Sequence, residues 1–264
     1  MTIIDTHTHL DAAARSGALP ALLGRAREAG VAGMIAVGTD TDDWDLYREI
    51  AGAHPGVVHR TVGIHPCAVA AGWEASMARM EPHWAQEPRP VALGECGLDR
   101  FHLPKDPAEA AGLFSHQKAA FAAQLALAAK LGCPLVIHSR AAFAECVEMI
   151  DASGVDWRKV VFHCFSEGGA EIRQLNERGG RGSFTGILTY KNAEAVRAAA
   201  RAQGLGSLMI ETDAPFLAPA PHRGKPNEPA YLRHTAEYAA SMFGIGLDEL
   251  AAVTTANARA FFGI

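Results

Sequence analysis

Short runs of β-branched and apolar residues recur along the whole chain, at Thr2–Asp5, Gly33–Gly38, Val57–Ile64, Val91–Glu95, Leu135–His138, Val160–His163, Gly182–Thr185 and Leu208–Asp213. Runs of this length predict strands. Between them the apolar positions change to a helical repeat. From Pro107 to Leu131, for example, Phe114, Phe121, Leu125 and Ala128 recur at intervals of three, four and seven. Gly132, followed by Pro134, ends that helix, and the next strand begins. Eight strands alternating with helices over roughly 250 residues predict an α/β fold, a (β/α)8 TIM-type barrel, although an open doubly wound sheet gives similar local patterns. No segment reads as a linker, a low-complexity tract or an internal repeat, so one domain spanning residues 1–264 is expected. The stretch from Glu228 to Phe262 reads as two helices packed on the outside.

Composition narrows the partners. Twenty-four Lys+Arg stand against 29 Asp+Glu, a net charge of −5, with no block of like charge. That excludes a basic strip coating duplex DNA by bulk electrostatics and leaves any nucleic-acid contact local. No apolar run is long enough for a membrane helix, and MTIIDTHTHLD lacks a basic-then-apolar signal segment, so a cytoplasmic protein is expected. The five cysteines are odd in number, lack a C-x-x-C pair and mostly flank apolar runs; they are expected to be reduced, buried thiols. There is no Gly-x-Gly-x-x-Gly or Gly-Lys-Ser/Thr, hence no support for a nucleotide cofactor.

The ionisable residues fall at the carboxyl ends of the strands, the rim where barrel enzymes place their chemistry. The first strand runs into His7-Thr8-His9, whose two imidazoles share a face at a spacing of two. The fourth ends in Glu95, the fifth in His138, the sixth in His163 and the eighth in Asp213. Each alone has an ordinary structural reading, as a core histidine or a helix cap, but five strand ends delivering imidazole or carboxylate together predict a metal site. Nitrogen and oxygen donors without thiolate suit Zn, Mn, Mg, Fe or Ni, and six ligands exceed the needs of one tetrahedral ion. Two ions about 3.5–4 Å apart fit better, polarising a phosphoryl or carbonyl group while a water is activated. Glu95, anionic and lying between the histidine groups, is the natural bridge.

Ordered motifs extend along nearly the whole length: Asp5-Thr6-His7-Thr8-His9-Leu10-Asp11, Gly63-Ile64-His65-Pro66, Gly94-Glu95-Cys96-Gly97-Leu98-Asp99, Val136-Ile137-His138-Ser139-Arg140, His163-Cys164-Phe165-Ser166, Ser183-Phe184-Thr185-Gly186-Ile187, Glu211-Thr212-Asp213-Ala214-Pro215-Phe216 and Asn227-Glu228-Pro229-Ala230. In these the chain resembles the TatD family of metal-dependent deoxyribonucleases, within the amidohydrolase-like barrels. The resemblance implies two divalent ions, Mg, Mn or Zn. His7, His9, Glu95 and Asp213 would hold one, and Glu95, His138 and His163 the other, with Asp213 also orienting or deprotonating the attacking water. It implies phosphodiester hydrolysis, exonucleolytic from the 3′ end of single-stranded DNA, with Asp213 and Glu95 as the catalytic carboxylates.

Where many relatives carry paired tyrosines after this Gly-Leu-Asp, the chain has Arg100-Phe101-His102. Phe101 is the candidate base-stacking surface. His65 at the third strand end, Arg140, Lys191, and Arg223 in the Pro-bounded loop Pro221–Glu228 are candidate substrate contacts, with Asn227 fixing that loop. Glu211, two before Asp213, is expected deeper in the barrel with a hydrogen-bond partner. Cys96 has no base at a useful spacing and is not expected to be a nucleophile. DNA ends are the expected partner, with RNA or tRNA as further substrates; the sequence leaves the oligomeric state open, a monomer included. A second reading gives the same ions an ester or amide to hydrolyse, as in a D-aminoacyl-tRNA deacylase. A third, a non-catalytic binding barrel, would be signalled by loss of Glu95 or Asp213, and both are present.

Overall fold

The computed structural model describes the whole chain, Met1–Ile264. Eight strands follow in order: β1 (Ile3–Thr8), β2 (Val31–Ala36), β3 (Val58–Val62), β4 (Ala92–Asp99), β5 (Leu135–Arg140), β6 (Val160–Phe162), β7 (Arg181–Phe184) and β8 (Met209–Ile210). They form one sheet in chain order. The helices are α1 (Asp11–Arg15), α2 (Leu19–Glu28), α3 (Trp44–Ala53), α4 (Glu74–Met80), α5 (Pro107–Leu131), α6 (Phe143–Ser153), α7 (Gly169–Arg178), α8 (Glu194–Gln203), α9 (Leu232–Phe243) and α10 (Leu247–Phe262). The fold is a (β/α)8 TIM-type barrel, as the alternation predicts. No helix is long and apolar enough to cross a membrane.

Two compact units divide the chain. The first comprises Met1–Ala36, His54–His59 and His163–Ile264. In it β1 and β2 pair in parallel, as do β7 and β8, and Thr8 bridges to Ala214 just past β8. Every residue of β1 is buried, which is why its sequence reads as a short continuous run rather than an alternation. The helix α10 lies against β1 and β8, burying Leu250, Ala258 and Phe262, and its Thr255 hydroxyl donates to the Thr2 carbonyl at 2.8 Å. The two helices expected after Glu228 are α9 and α10.

The second unit comprises Val37–Ala53 and Arg60–Phe162. Its β4 pairs with β3 on one side and β5 on the other, and all eight residues of β4 are buried. The bounds of α5 follow from local chemistry. Asp106 caps it by accepting from the Glu109 N–H at 2.8 Å, Pro107 occupies the first turn, and Gly132 ends it at φ 61°. Two buried glutamines on α5, Gln117 and Gln124, reach the strand ends. Gln117 accepts from the Asp99 N–H at 3.0 Å. Gln124 closes a two-way bond with Ile64, accepting from its N–H at 2.8 Å and donating to its carbonyl at 3.1 Å.

Several strands run further than the apolar pattern indicates. β1 continues to Thr8, β4 to Asp99 and β5 to Arg140, so Arg140 lies two residues along the strand from His138. Cys96, Cys133 and Cys146 are buried free thiols as expected, but Cys164 is half-buried and Cys67 is exposed. The reason is local: Cys67 follows Pro66 in a short 3-10 turn beyond β3, outside the apolar run that suggested burial.

Candidate metal centre

In the first unit the end of β1 and the turn after β8 bring three donors together. His7 Nε2 lies 3.3 Å from His9 Nε2, and the Asp213 Oδ1 lies 3.7 and 3.6 Å from those two nitrogens. With metal–ligand bonds of about 2.0–2.2 Å, adjacent donors of a tetrahedral ion sit about 3.3–3.5 Å apart. The spacing fits one divalent cation. Asp213 is placed by the backbone: its N–H donates to the His7 carbonyl at 2.9 Å, and its φ of 55° turns the chain sharply so the carboxylate faces both imidazoles. Burial opposes its charge, but the bond with His9 and the neighbouring His7 and His163 hold the carboxyl below its ordinary value. It is therefore ionised at neutral pH.

His163 stacks on His7 at 3.9 Å between ring centroids, and its Nδ1 lies 3.4 Å from the Glu211 Oε1. Glu211 is completely buried and richly partnered, accepting from the Cys164 N–H at 2.6 Å and from the Ser183 and Thr6 hydroxyls. The expectation of a deep carboxylate with a hydrogen-bonding role holds. Asp5, also fully buried, accepts from the Thr212 N–H at 2.9 Å and its hydroxyl at 2.6 Å, tying β1 to the turn that carries Asp213.

In the second unit Glu95, His65 and His138 converge. His138 Nδ1 lies 2.8 Å from the Glu95 Oε1, His65 Nε2 lies 3.4 Å from the same oxygen, and the two ring nitrogens are 3.1 Å apart. His65, expected as a substrate contact, thus stands at ligand spacing. The far side of His138 is held by Asp99, whose Oδ2 is 3.0 Å from His138 Nε2 and 2.8 Å from His102 Nδ1. Burial opposes the Asp99 charge, yet the bonds with His138 and His102 hold its carboxyl well below the usual range. Glycine makes this convergence possible. At Gly97, with φ 142°, a Cβ would sit 2.0 Å from the His138 carbonyl oxygen, and at Gly63 one would sit 2.4 Å from the Gly94 carbonyl carbon. No side chain fits at either crossing.

The substrate candidates divide. Phe101 is 64% exposed, with the Arg140 guanidinium 4.7 Å above its ring. Arg223 lies 4.2 Å over the Tyr190 ring, and Lys191 is exposed. Asn227 fixes its loop as expected, donating to the carbonyls of Thr212 at 2.9 Å and Phe216 at 2.7 Å. Arg100 is committed elsewhere, to Glu145 at 2.6 Å and to the face of Phe114. Burial and Asp99 push the Cys67 thiol up to about 12, and burial pushes that of Cys96 well up, so neither is a thiolate nucleophile at neutral pH. Two residues escaped the sequence reading. Phe216, 60% exposed with its ring edge-on to His9 at 6.4 Å, was hidden among apolar neighbours. Asp99 carried a signal, since Glu95, Gly97 and Asp99 alternate onto one face of β4.

The model of the family described as "TatD related DNase" matches residues 4–263. The chain is 34% identical over 267 residues to the metal-dependent hydrolase YcfH of Escherichia coli K12, covering all of this chain and 97% of that protein. It is 35% identical over 245 residues to the 3′-5′ ssDNA/RNA exonuclease TatD of Erwinia amylovora, covering 91% of this chain and 92% of the relative. Among solved structures, the TatD homologue YjjV from Escherichia coli K12 superposes with a TM-score of 0.89 at 26% identity, over 99% of this chain and 98% of that one. Matched from end to end by family model, sequence and fold, the chain belongs to the TatD-related DNase family and is a metal-dependent hydrolase.

Proposed function

We propose that the protein is a divalent-metal-dependent phosphodiesterase that shortens single-stranded DNA or RNA from the 3′ end, in the cytoplasm. The observation that carries the reading is the His7–His9–Asp213 triad, three donors at the spacing of one ion's coordination shell. The exonuclease names of relatives such as the Erwinia amylovora protein support the substrate class. We assign one ion to His7, His9 and Asp213, with His163 stacked beside them, and a second to Glu95 and His138, with His65 at its edge; Mg, Mn and Zn all suit these donor sets. Such ions polarise the phosphoryl oxygens and lower the pKa of water. The protein's own contribution is positional. Asp213 turns one oxygen to the imidazoles and gives the other to the attacking water, accepting its proton. Asp99 fixes the ring of His138, and Glu211 that of His163. Phe101 and Phe216 offer exposed rings for bases, and Arg140, Lys191 and Arg223 supply charge for phosphates.

The test is digestion of a 5′-labelled single-stranded oligonucleotide with Mg2+ or Mn2+, beside EDTA and Asp213→Asn controls. A ladder receding from the 3′ end that needs both metal and Asp213 is the expected result. An intact oligonucleotide from metal-loaded protein overturns the reading, and hydrolysis of an aminoacylated tRNA by the same preparation would replace it.

A further inference from the structure

Beside the His65–Glu95–His138 cluster, a second group of potential ligands stands at the surface of the same unit. Cys67, Asp99 and His102 place their ligating atoms within 4.8 Å of one another. The Cys67 Sγ is 3.6 Å from the Asp99 Oδ2, and the His102 Nδ1 is 2.8 Å from that oxygen. A tetrahedral zinc-class ion with a sulfur bond of about 2.3 Å and an oxygen bond of about 2.0 Å separates those two donors by about 3.5 Å. The sulfur–oxygen pair already stands at that spacing. The nitrogen–oxygen pair needs to open by about 0.5 Å, a small rotation for the exposed imidazole of His102.

We infer that Cys67, Asp99 and His102 form a third cation site, selective for a thiophilic divalent ion of the zinc class and open to solvent at its fourth position. The ligands come from two anchored segments, Cys67 from the turn after β3 and Asp99 with His102 from the end of β4. The Cys67 N–H donates to the His65 Nδ1 at 3.0 Å, which sets the turn after β3. Gln117 holds the backbone of Asp99, and the His102 N–H donates to the Asp99 Oδ1 at 2.8 Å. That bond occupies one carboxylate oxygen and aims the other at the thiol and the two imidazoles. A carboxylate oxygen has two lone-pair sites, so Oδ2 can bind an ion while keeping its bond with His138 Nε2. The donor set differs in kind from the neighbouring nitrogen–oxygen cluster: the Cys67 thiol gives up its proton to solvent as the ion binds, and the thiolate so formed favours softer ions over Mg2+. Through Asp99 a bound ion would touch the residue that fixes His138, placing metal supply in contact with the proposed centre.

Cobalt(II) reads the site directly, because thiolate ligation gives an intense near-ultraviolet charge-transfer absorption that nitrogen and oxygen ligands do not. The full-length protein titrated with Co2+ is expected to show this band. Cys67→Ser should abolish it, and His102→Ala should weaken the affinity it reports by about 10–100-fold or more. Both substitutions are at exposed positions, so folding is not at stake. His9→Ala, which disables the proposed hydrolytic centre, should leave the band in place, which separates failure of this inference from failure of the nuclease reading. Absence of the band in the wild-type protein, its survival in Cys67→Ser, its indifference to His102→Ala or its loss in His9→Ala would each overturn the assignment.

Discussion

Phe216 shows how a residue of unremarkable type acquires a role from its position. Its carbonyl is held by Asn227, its N–H donates to the Asp213 carbonyl at 2.8 Å, and the ring is left in solvent beside His9. An exposed ring so firmly placed contributes little to the core and is well suited to stack on a base. Base–aromatic stacking is worth about 1–3 kcal/mol, so Phe216→Ala should raise the KM for a single-stranded oligonucleotide roughly 5- to 150-fold with little change in Tm. An unchanged KM would remove the residue from the substrate surface. Elsewhere a buried histidine shapes the pH response. His83 packs edge-on against Trp44 beside Arg60, and burial first, then the Arg60 charge, lowers its pKa below the ordinary 6.5. With the folded pKa depressed, the unfolded chain takes up the proton first as pH falls through 6.5, and stability drains away on that side. Thermal melts should show Tm falling below pH 6.5, with a shallower slope in His83→Gln.

At the scale of elements, the strands and α5 were legible because the chain obeys simple periodicities, and the bounds Pro107–Leu131 follow from a cap, a proline and a glycine that are all local. The strand ends were less legible for a physical reason. The residues that carry the chemistry are polar, so the apolar run stops at Asp5 or Glu95 while the backbone pairing continues to Thr8 and Asp99. The polar residues at strand ends stand out in the sequence by their order and type, but the company each keeps does not: His65 beside Glu95 and Asp99 behind His138 depend on long-range register. Gln117 and Gln124 were invisible for a related reason, since they interrupt the apolar face of α5 to satisfy the backbone at the ends of β4 and β3. Gln124→Leu should show what that polar pair does. It strands the N–H and the carbonyl of Ile64, both buried, at a cost of about 1–3 kcal/mol for each unsatisfied group. It also frees the segment leading to His65. Chemical denaturation should report the stability loss, and metal titration a weaker affinity; a variant as stable as wild type would show that the backbone finds other partners.

For the molecule as a whole, the net charge of −5 sets how it can hold a polyanion. General attraction is absent, so on the proposed reading grip on a strand comes from the metal centre and a few fixed cations. The candidates are Arg140, Lys191 and Arg223, each exposed, two of them lying over aromatic rings that restrict where the guanidinium points. Every phosphate neutralised on a single strand releases counterions, and the logarithm of affinity falls with the logarithm of salt at a slope of about −0.7 per contact. Three contacts predict a slope near −2. Measured as kcat/KM at substrate concentrations below KM, that slope should lose about 0.7 when any one of the three is replaced by Ala. A substitution that leaves the slope unchanged would mark that cation as a surface charge. A wild-type slope of −4 or steeper would mean that phosphate binding extends along a longer track than these three residues provide, despite the negative charge of the whole.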